Sequence, residues 1–230
     1  MRAILLAGGY GKRLRPLTNK VPKCLIPIRG TPLLEIWLRK LIRSKIKKVL
    51  INTHYLNNKV EEFLNNKNFK IDIVLKYEKK LLGTAGTLIK NIDFYNNSDG
   101  ILIHADNYTE ESLSQLIDAH KIRPKNCHIT ALTFKNNDTS SCGIFKVNEK
   151  KIVQNFYEKS NLSRSKIGNI ANGAIYILSK NFIKTANKKF KTATDFSNHI
   201  IPKMKNKIFI FHTKKLFADI GTLRVYKKFK

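Results

Sequence analysis

The sequence has few cysteines, few acidic residues and no long apolar segment. The three cysteines, Cys24, Cys127 and Cys142, are widely spaced and form no C-x-x-C pair, so neither a disulfide framework nor a zinc site is indicated. No segment reaches the roughly 18 apolar residues that a membrane-spanning helix needs. The first residues run into glycine at Gly8, too early for a signal peptide. These absences favour a cytoplasmic protein with reduced thiols and no membrane partner.

Acidic residues are outnumbered by basic residues, 16 against 44, which gives a net charge of +28. A charge of this size, taken alone, indicates a polyanionic partner such as nucleic acid. The lysines are scattered along the whole chain, however, and no basic stripe interleaved with aromatic residues is found. Dispersed lysines usually form a solvated surface, and such a surface also attracts small phosphorylated substrates. A basic nucleic-acid-binding protein remains the remote alternative.

At 230 residues and 42% hydrophobic composition, the chain can bury the core of a single domain, which we expect to span residues 1–230. Short β-branched runs in the first half predict buried strands, and they are Ala3–Ala7, Val49–Thr53, Ile71–Leu75 and Gly100–Ala105. Amphipathic segments between them predict helices, and they are Pro32–Ile42 with Thr31 as N-cap, Asn57–Leu64 and Ser112–His120. Strands that alternate with helices in this way predict a mostly parallel sheet covered on both faces.

Beyond residue 126 the predicted strands lie closer together, which indicates an antiparallel extension of the same sheet. They are Ile129–Phe134, Gly143–Val147, Ile152–Tyr157 and Ala174–Leu178. The most loop-like stretch, Asn161–Asn169, predicts a mobile flap or a connection and is too short to divide domains. The predicted fold class is therefore α/β, a Rossmann-like three-layer sandwich with a mostly parallel central sheet and an antiparallel extension.

A glycine-rich loop, Gly8-Gly9-Tyr10-Gly11-Lys12-Arg13, directly follows the first predicted strand. Open α/β folds bind ligands at this carboxyl edge of the sheet. Glycine allows backbone N–H groups to approach phosphate oxygens closely, and nearby cations such as Lys23 balance the charge. The loop is not a Walker A motif, because Arg13 follows Lys12 where that motif has Ser or Thr. Taken alone it predicts a phosphate site, with a structural turn as the alternative.

The segment from Leu6 to Thr18, followed by Val21-Pro22-Lys23, closely resembles the signature of the sugar-1-phosphate nucleotidylyltransferase family, and the resemblance covers essentially the whole chain. It implies the nucleotide-diphospho-sugar transferase fold. It also implies that the loop and Arg13 bind the triphosphate and that Lys23 contacts the phosphates at the reacting centre. One departure is Lys12, where the family commonly has threonine or a small residue. The loop residues that the resemblance assigns to the nucleotide are Ala7, Gly8, Gly9, Gly11, Lys12 and Arg13.

The same resemblance implies a Mg²⁺ cofactor held by two aspartates, Asp106 at a strand end and Asp219 in an Asp-x-Gly segment. Mg²⁺ commonly takes one or two carboxylates together with substrate phosphates and water. Ala105 replaces the usual glycine before Asp106, and we interpret His104 as a packing residue rather than a ligand. The residues expected to carry catalysis are Arg13, Lys23, Asp106 and Asp219.

Three later segments resemble the sugar side of the family's site. For the pair Glu158-Lys159, the resemblance implies that the carboxylate binds sugar hydroxyls and that the lysine binds the sugar phosphate. Gly143 corresponds to a glycine of the family that contacts the substrate. Asn172-Gly173 resembles the family's Asn-Gly strand start. Each segment alone has an ordinary alternative, a solvated surface pair or a turn. Their joint occurrence in family order favours sugar-phosphate binding.

The segment that begins at Glu78 bears on the nucleotide base. The thymidylyl branch has Gln at this position, whereas a carboxylate offers only acceptors and matches the two adjacent donors of guanine. The following Leu82–Gly86 also resembles the mannose and heptose 1-phosphate guanylyltransferases more than the thymidylyl enzymes. We therefore predict GTP, with Glu78, Gly83 and Thr84 at the nucleotide. Uridylyl or thymidylyl transfer to glucose 1-phosphate or another sugar 1-phosphate remains the alternative.

The expected partners are consequently an NTP and a sugar 1-phosphate, with homo-oligomer formation left open. A catalytically inactive regulatory relative would have lost Arg13, Lys23 or an aspartate, and all of them are present. The sequence ends soon after Asp219, without the β-helix extension of some relatives, which predicts a stand-alone transferase.

Overall fold

The computed structural model describes residues 1–230. Its thirteen strands are β1 (Arg2–Leu6), β2 (Pro27–Ile28), β3 (Thr31–Pro32), β4 (Lys48–Thr53), β5 (Asp72–Tyr77), β6 (Gly100–His104), β7 (Asn107–Thr109), β8 (Ile129–Lys135), β9 (Ile144–Val147), β10 (Val153–Tyr157), β11 (Ile170–Leu178), β12 (Ile208–His212) and β13 (Phe217–Asp219). Its seven α-helices are α1 (Leu33–Arg43), α2 (Asn57–Asn65), α3 (Gly83–Lys90), α4 (Leu113–Lys121), α5 (Arg164–Ile167), α6 (Lys180–Phe190) and α7 (Leu223–Tyr226). A π-helical turn covers Phe196–Ile200.

Nine strands form one mixed sheet, and four form two small two-stranded sheets. Strands β6, β1, β4 and β5 are neighbours in that order and run parallel. On the other side of β6, strand β11 is antiparallel to β6, β8 and β9. The predicted α/β class, with a parallel half and an antiparallel extension, is confirmed.

Two apolar cores of similar size, with 28 and 25 buried residues, cover the two faces of the sheet. In β1, Leu5 faces the core that contains Trp37 of α1. The adjacent Ile4 faces the other core, with Leu88 of α3 and Phe182 of α6, because successive side chains of a strand point to opposite faces. The result is the predicted three-layer arrangement.

Three details differ from the sequence prediction. Thr31 is not an N-cap, because Thr31 and Pro32 pair with β2 as a short strand and α1 begins at Leu33. Helices α3 and α6 and strand β12 were not predicted. The stretch Asn161–Asn169 contains α5, whose Ile167 is buried in a small cluster with β9 and β11 residues, so it is an anchored connection rather than a flap. The longest helices have 11 residues, and none is long and apolar enough to cross a membrane.

Candidate active site

The glycine loop after β1 is held in a tight turn over the carboxyl edge of the sheet. The Ala7 N–H donates to Asn52 Oδ1 at the end of β4 (2.9 Å). Gly11 has a φ of +64°, and a Cβ there would lie 2.9 Å from Thr18 Cγ2, so the turn requires glycine. The Thr18 hydroxyl donates to the Gly11 carbonyl oxygen (2.9 Å). No atom lies within 4 Å of a Cβ built on Gly9, which leaves the loop backbone open to a ligand.

A cavity of about 200 Å³ lies between this loop, the end of β6 and the start of α3. Four of the residues predicted to bind the nucleotide line it, namely Gly8, Gly9, Gly83 and Thr84. Ala7 and Gly11 support the loop from behind and do not line this cavity. A glycine-lined cavity with exposed backbone at a strand end is suited to phosphate oxygens.

Glu78 is buried behind the wall of this nucleotide cavity rather than on its surface. Its Oε1 accepts the Thr87 hydroxyl (2.6 Å), and its Oε2 accepts the Leu82 N–H (3.2 Å). Asn52 donates to the same Thr87 oxygen (3.4 Å), and Asn52 and Thr87 both line the cavity. The geometry therefore does not support direct guanine binding by Glu78. The carboxylate instead orients the Thr87 hydroxyl, which in turn accepts from Asn52.

Lys23, Asp106 and Asp219 form one cluster beside the cavity. Antiparallel pairing of β7 with β13 places Asp219 opposite Asn107 and so beside Asp106. The Lys23 ammonium lies 2.6 Å from Asp106 Oδ2 and 3.9 Å from Asp219 Oδ1. The Lys23 side chain is only 11% exposed, so water screens its charge weakly. Three predicted catalytic groups are thus brought together from distant parts of the sequence.

The two aspartates differ in their protonation equilibria. Burial is the largest single influence on Asp106 and disfavours its ionised form, but the charge and hydrogen bond of Lys23, together with His104, outweigh burial and lower the Asp106 pKa below its usual value. Burial raises the pKa of Asp219, and the negative charge of Asp106 raises it further. The Lys23 ammonium forms its shorter ion pair with Asp106. A second cation beside Asp219 would therefore stabilise the ionised form of the Asp219 carboxylate.

The donor set fits Mg²⁺. Asp106 and Asp219 offer hard carboxylate oxygens, and their side chains are 37% and 52% exposed, so an ion can reach both. No group of three or more His, Cys, Asp and Glu residues that could hold a metal is present. Phosphate and water oxygens therefore have to complete the shell, which is the usual arrangement for Mg²⁺. Binding of the ion remains a prediction.

Arg13 and Lys12 extend away from the nucleotide cavity. A Cβ built on Gly221 would lie 3.0 Å from Arg13 Nη2, so the guanidinium covers the turn that follows Asp219. The Lys12 ammonium lies 5.4 Å from the centre of the Tyr10 ring, at a distance typical of a cation–π contact. Arg13 is thus placed near the predicted metal ligands, whereas Lys12 lies at the outer rim of the loop.

A second cavity, of about 250 Å³, meets the first at His104 and Asp106, which line both. Four of the residues predicted to bind the sugar phosphate line it, namely Gly143, Glu158, Lys159 and Asn172. Burial raises the pKa of Glu158 above its usual value, and Lys159 opposes this. The two cavities therefore adjoin each other at Asp106. We refer to them below as the nucleotide cavity and the sugar cavity.

Gly173 does not line the sugar cavity. A Cβ at this position would lie 2.7 Å from Leu132 Cδ2 and 2.9 Å from the Leu132 carbonyl oxygen. The register of β11 shifts here, and Ala174 adopts a φ of +50°. Gly173 thus permits a bulge that turns the neighbouring Asn172 towards the cavity, and its own contact with the sugar phosphate stays a prediction.

Several cavity residues were missed by the sequence analysis. Asn52 and Thr87 line the nucleotide cavity, and Asp195 and Asn198 line the sugar cavity. Asn52 was detectable in principle, because it is a polar residue near the carboxyl end of a buried parallel strand, at the ligand-binding edge. Asp195 and Asn198 carry no such signal, since they come from a π-helical turn that the sequence pattern did not reveal.

Comparison with known proteins agrees with this geometry. A protein of Sulfolobus acidocaldarius, provisionally named mannose-1-phosphate guanyltransferase, is 29% identical over 230 residues, covering 98% of this chain and 61% of that protein. The D-glycero-α-D-manno-heptose 1-phosphate guanylyltransferase of Campylobacter jejuni is 29% identical over 231 residues, covering 100% and 98%. The crystal structure of HddC from Yersinia pseudotuberculosis complexed with GMP-PN superposes with a TM-score of 0.79 at 24% identity, covering 99% and 97%. Other matches are named for adenylyl or thymidylyl transfer.

The chain spans about three fifths of the length of the Sulfolobus protein and nearly all of the Campylobacter enzyme. The fold and the two cavities define an α/β protein with adjoining clefts at the carboxyl edge of its parallel strands, the edge where such folds bind ligands. The chain belongs to the nucleotidyl transferase family, whose model matches residues 2–229. The predicted family resemblance is confirmed.

Proposed function

We propose that this protein transfers a nucleotidyl group, preferentially GMP from GTP, to a mannose- or heptose-type sugar 1-phosphate and releases pyrophosphate. The observation that carries the proposal is the cluster of Lys23, Asp106 and Asp219 where the nucleotide and sugar cavities meet. A phosphorus atom held there is reachable from one cavity by the attacking phosphate, while the leaving pyrophosphate lies on the other side.

The reaction needs no general base from the protein. The second pKa of a phosphate monoester is about 6, so the attacking sugar phosphate is already largely dianionic at neutral pH. The task of the site is therefore to bring two anions together and to balance their charge. Lys23 binds the α-phosphate region, Lys159 binds the sugar phosphate, and the glycine loop binds the leaving pyrophosphate. Arg13, which lies beside the turn after Asp219, balances charge at the metal ligands.

Asp106 and Asp219 are the proposed ligands of Mg²⁺, which would neutralise charge on the phosphates when bound. The aspartates also orient Lys23, because its ammonium donates to Asp106. We expect this work to be done in the cytoplasm, where nucleoside triphosphates are available.

The preference for guanine is supported by relatives rather than by Glu78. Enzymes named as guanylyltransferases match at 29% identity, with manno-configured or mannose substrates in their names. A relative named for adenylyl transfer matches at 27% identity, so the base has to be tested directly.

The deciding experiment is a screen for pyrophosphate release with ATP, CTP, GTP, TTP and UTP against mannose, heptose, glucose and galactose 1-phosphates. We expect release only when Mg²⁺, an NTP and a sugar 1-phosphate are all present, with GTP and a manno-configured sugar best. Asp106→Asn is the control for contaminating activity. Release with another base would correct the guanine assignment, and no release with any pair would refute the proposed function.

A further inference from the structure

The sugar cavity differs sharply in charge from the rest of this basic molecule. Four of the 16 acidic residues line it, and they are Asp106, Glu158, Asp195 and Asp219. Of the 44 lysines and arginines, only Lys159 lines it. Asp106 and Asp219 are engaged by Lys23 and by the proposed Mg²⁺. Two carboxylates, Glu158 and Asp195, are left to face whatever fills the cavity.

Asp195 is held rigidly in this wall. It is the N-cap of the π-helical turn, and its Oδ1 accepts from the Asn198 N–H (2.8 Å) and the Asn198 side-chain amide (3.0 Å). The Phe196 N–H donates to the Thr84 hydroxyl (2.7 Å), and Phe196 is fully buried. The second oxygen, Oδ2, has only a 3.5 Å contact to Thr84 Oγ1. One carboxylate oxygen is therefore positioned without a good partner.

A second polar atom beside the same cavity also lacks a partner. His104 lines both cavities, and its Nε2 is buried with no hydrogen-bond partner. Buried polar atoms in folded proteins are nearly always hydrogen-bonded, and a ligand hydroxyl at this boundary would supply the missing bond. Ser197 and Asn198 add two neutral polar side chains to the wall. The surface is thus rich in hydrogen-bonding groups and poor in cations.

We propose that Asp195 is a sugar-binding residue, and that Asp195 and Glu158 together select a neutral, polyhydroxylated sugar ring and exclude sugars that carry a carboxylate. An ionised carboxylate only accepts hydrogen bonds, and sugar hydroxyls donate them. A uronic acid would place a third negative charge between these two, where Lys159 is already committed to the phosphate. This inference rests on the proposed function and specifies the class of sugar that the same site takes.

Asp195→Asn is the informative variant, because asparagine caps a helix as well as aspartate does and has nearly the same shape. Calorimetric titration with glucose 1-phosphate and with glucuronic acid 1-phosphate, in Mg²⁺, gives a readout that does not depend on turnover. We expect the native protein to bind the neutral sugar at least about tenfold more tightly, the scale of one hydrogen bond to a charged group. In Asp195→Asn this preference should shrink about tenfold.

Steady-state kinetics separates sugar binding from a structural role. The KM for the sugar 1-phosphate should rise about tenfold in Asp195→Asn and in Asp195→Ser, which can still cap the turn but reaches less far. The KM for the nucleotide should stay within about twofold. Asp118→Asn, which changes an exposed carboxylate on α4, is the matched control and should leave both values unchanged.

Equal binding of the neutral and the acidic sugar phosphate by the native protein would overturn the inference. So would a parallel rise of both KM values with a lowered Tm, because that pattern marks Asp195 as structural only. Failure of the proposed function looks different: the native protein would then release no pyrophosphate with any substrate pair, whatever the calorimetric preference.

Discussion

At the scale of single residues, Lys23 should be the most sensitive position for catalysis. Its ammonium lies between two carboxylates, and Lys23 is the only buried lysine or arginine of the protein. Loss of one preorganised electrostatic group typically costs 10² to 10³ in kcat. We expect Lys23→Ala and Asp106→Asn each to lower kcat by at least roughly 100-fold in a pyrophosphate-release assay.

Lys59→Ala is the control for this pair, because Lys59 lies on α2 with its side chain half exposed and should keep native activity. A near-native kcat in Lys23→Ala would remove Lys23 from the reacting centre. Circular dichroism of each variant checks that the fold is retained.

Glu35 should contribute to stability in a pH-dependent way. The Lys67 hydrogen bond lowers the Glu35 pKa below its usual value, burial opposes this, and Arg39 lowers the pKa further. A lowered pKa stabilises the fold above the unfolded-state pKa, and this contribution is lost as pH falls through the folded-state value. We expect Glu35→Gln to lose about 2 kcal/mol of unfolding free energy at pH 7.

Urea titrations of Glu35→Gln and the native protein at pH 7 and at pH 3.5 measure this effect. The difference should shrink as the pH falls towards the lowered pKa of Glu35, because protonation of the native Glu35 removes the charge that distinguishes it from glutamine. A constant difference across this range would show that side-chain shape, and not charge, sets the effect.

The clustering of Lys23, Asp106 and Asp219 could be predicted from the sequence because the spacing and order of the motifs form a long pattern, from Gly8 to Asp219; their catalytic role stays a prediction. The direction of the Glu78 side chain could not, since it depends on two hydrogen bonds with Thr87 and Leu82. A residue type fixes what a side chain can bind. Packing decides which surface it faces.

At the scale of structural elements, the start of α3 joins the two cavities. Gly83 has a φ of +77°, and a Cβ there would lie 2.3 Å from the Thr194 carbonyl oxygen. The same carbonyl accepts the Ala85 N–H (3.0 Å), and the Thr84 hydroxyl accepts from Phe196. We expect Gly83→Ala to lower Tm and to raise the KM for both substrates, because the walls of both cavities move.

Gly30→Ala is a matched control for this prediction. Gly30 has a similar φ of +80° but no atom within 4 Å of a built Cβ, so it carries the backbone strain without the clash. The Tm loss in Gly83→Ala should exceed the loss in Gly30→Ala by several degrees. Equal losses would show that the contact with Thr194 contributes little.

The elements that the sequence predicted best are the buried strands of the parallel half, because such strands are nearly continuous apolar runs. Helix α3 was missed since its first turn contains Gly83, Thr84 and Gly86, which are weak helix formers; docking against Thr194 compensates for them. The pairing of β7 with β13 joins three-residue strands about 110 positions apart, and no local pattern encodes such a contact.

At the scale of the whole molecule, the charge of +28 should act on association rather than on chemistry. Dispersed lysines create a positive field that attracts NTP and sugar phosphate, whereas the reacting groups lie partly buried and within a few ångströms of one another. The screening length falls from about 10 Å at 0.1 M salt to about 3 Å at 1 M. Added salt should therefore lower kcat/KM for both substrates severalfold and leave kcat nearly constant.

Initial rates between 0.02 and 0.5 M KCl, at fixed free Mg²⁺, measure this dependence. Lys79 and Lys80 lie beside the nucleotide cavity with exposed side chains. The double variant Lys79→Glu/Lys80→Glu should weaken the salt dependence of kcat/KM more for the nucleotide than for the sugar phosphate.

The same salt range tests the nucleic-acid alternative, because non-specific binding of a DNA duplex to dispersed lysines should be weak and should disappear steeply as salt rises. Tight binding of the DNA duplex at 0.15 M salt would instead reveal an organised basic surface. In the kinetic experiment, a kcat that fell together with kcat/KM would show that salt acts on the reacting centre itself.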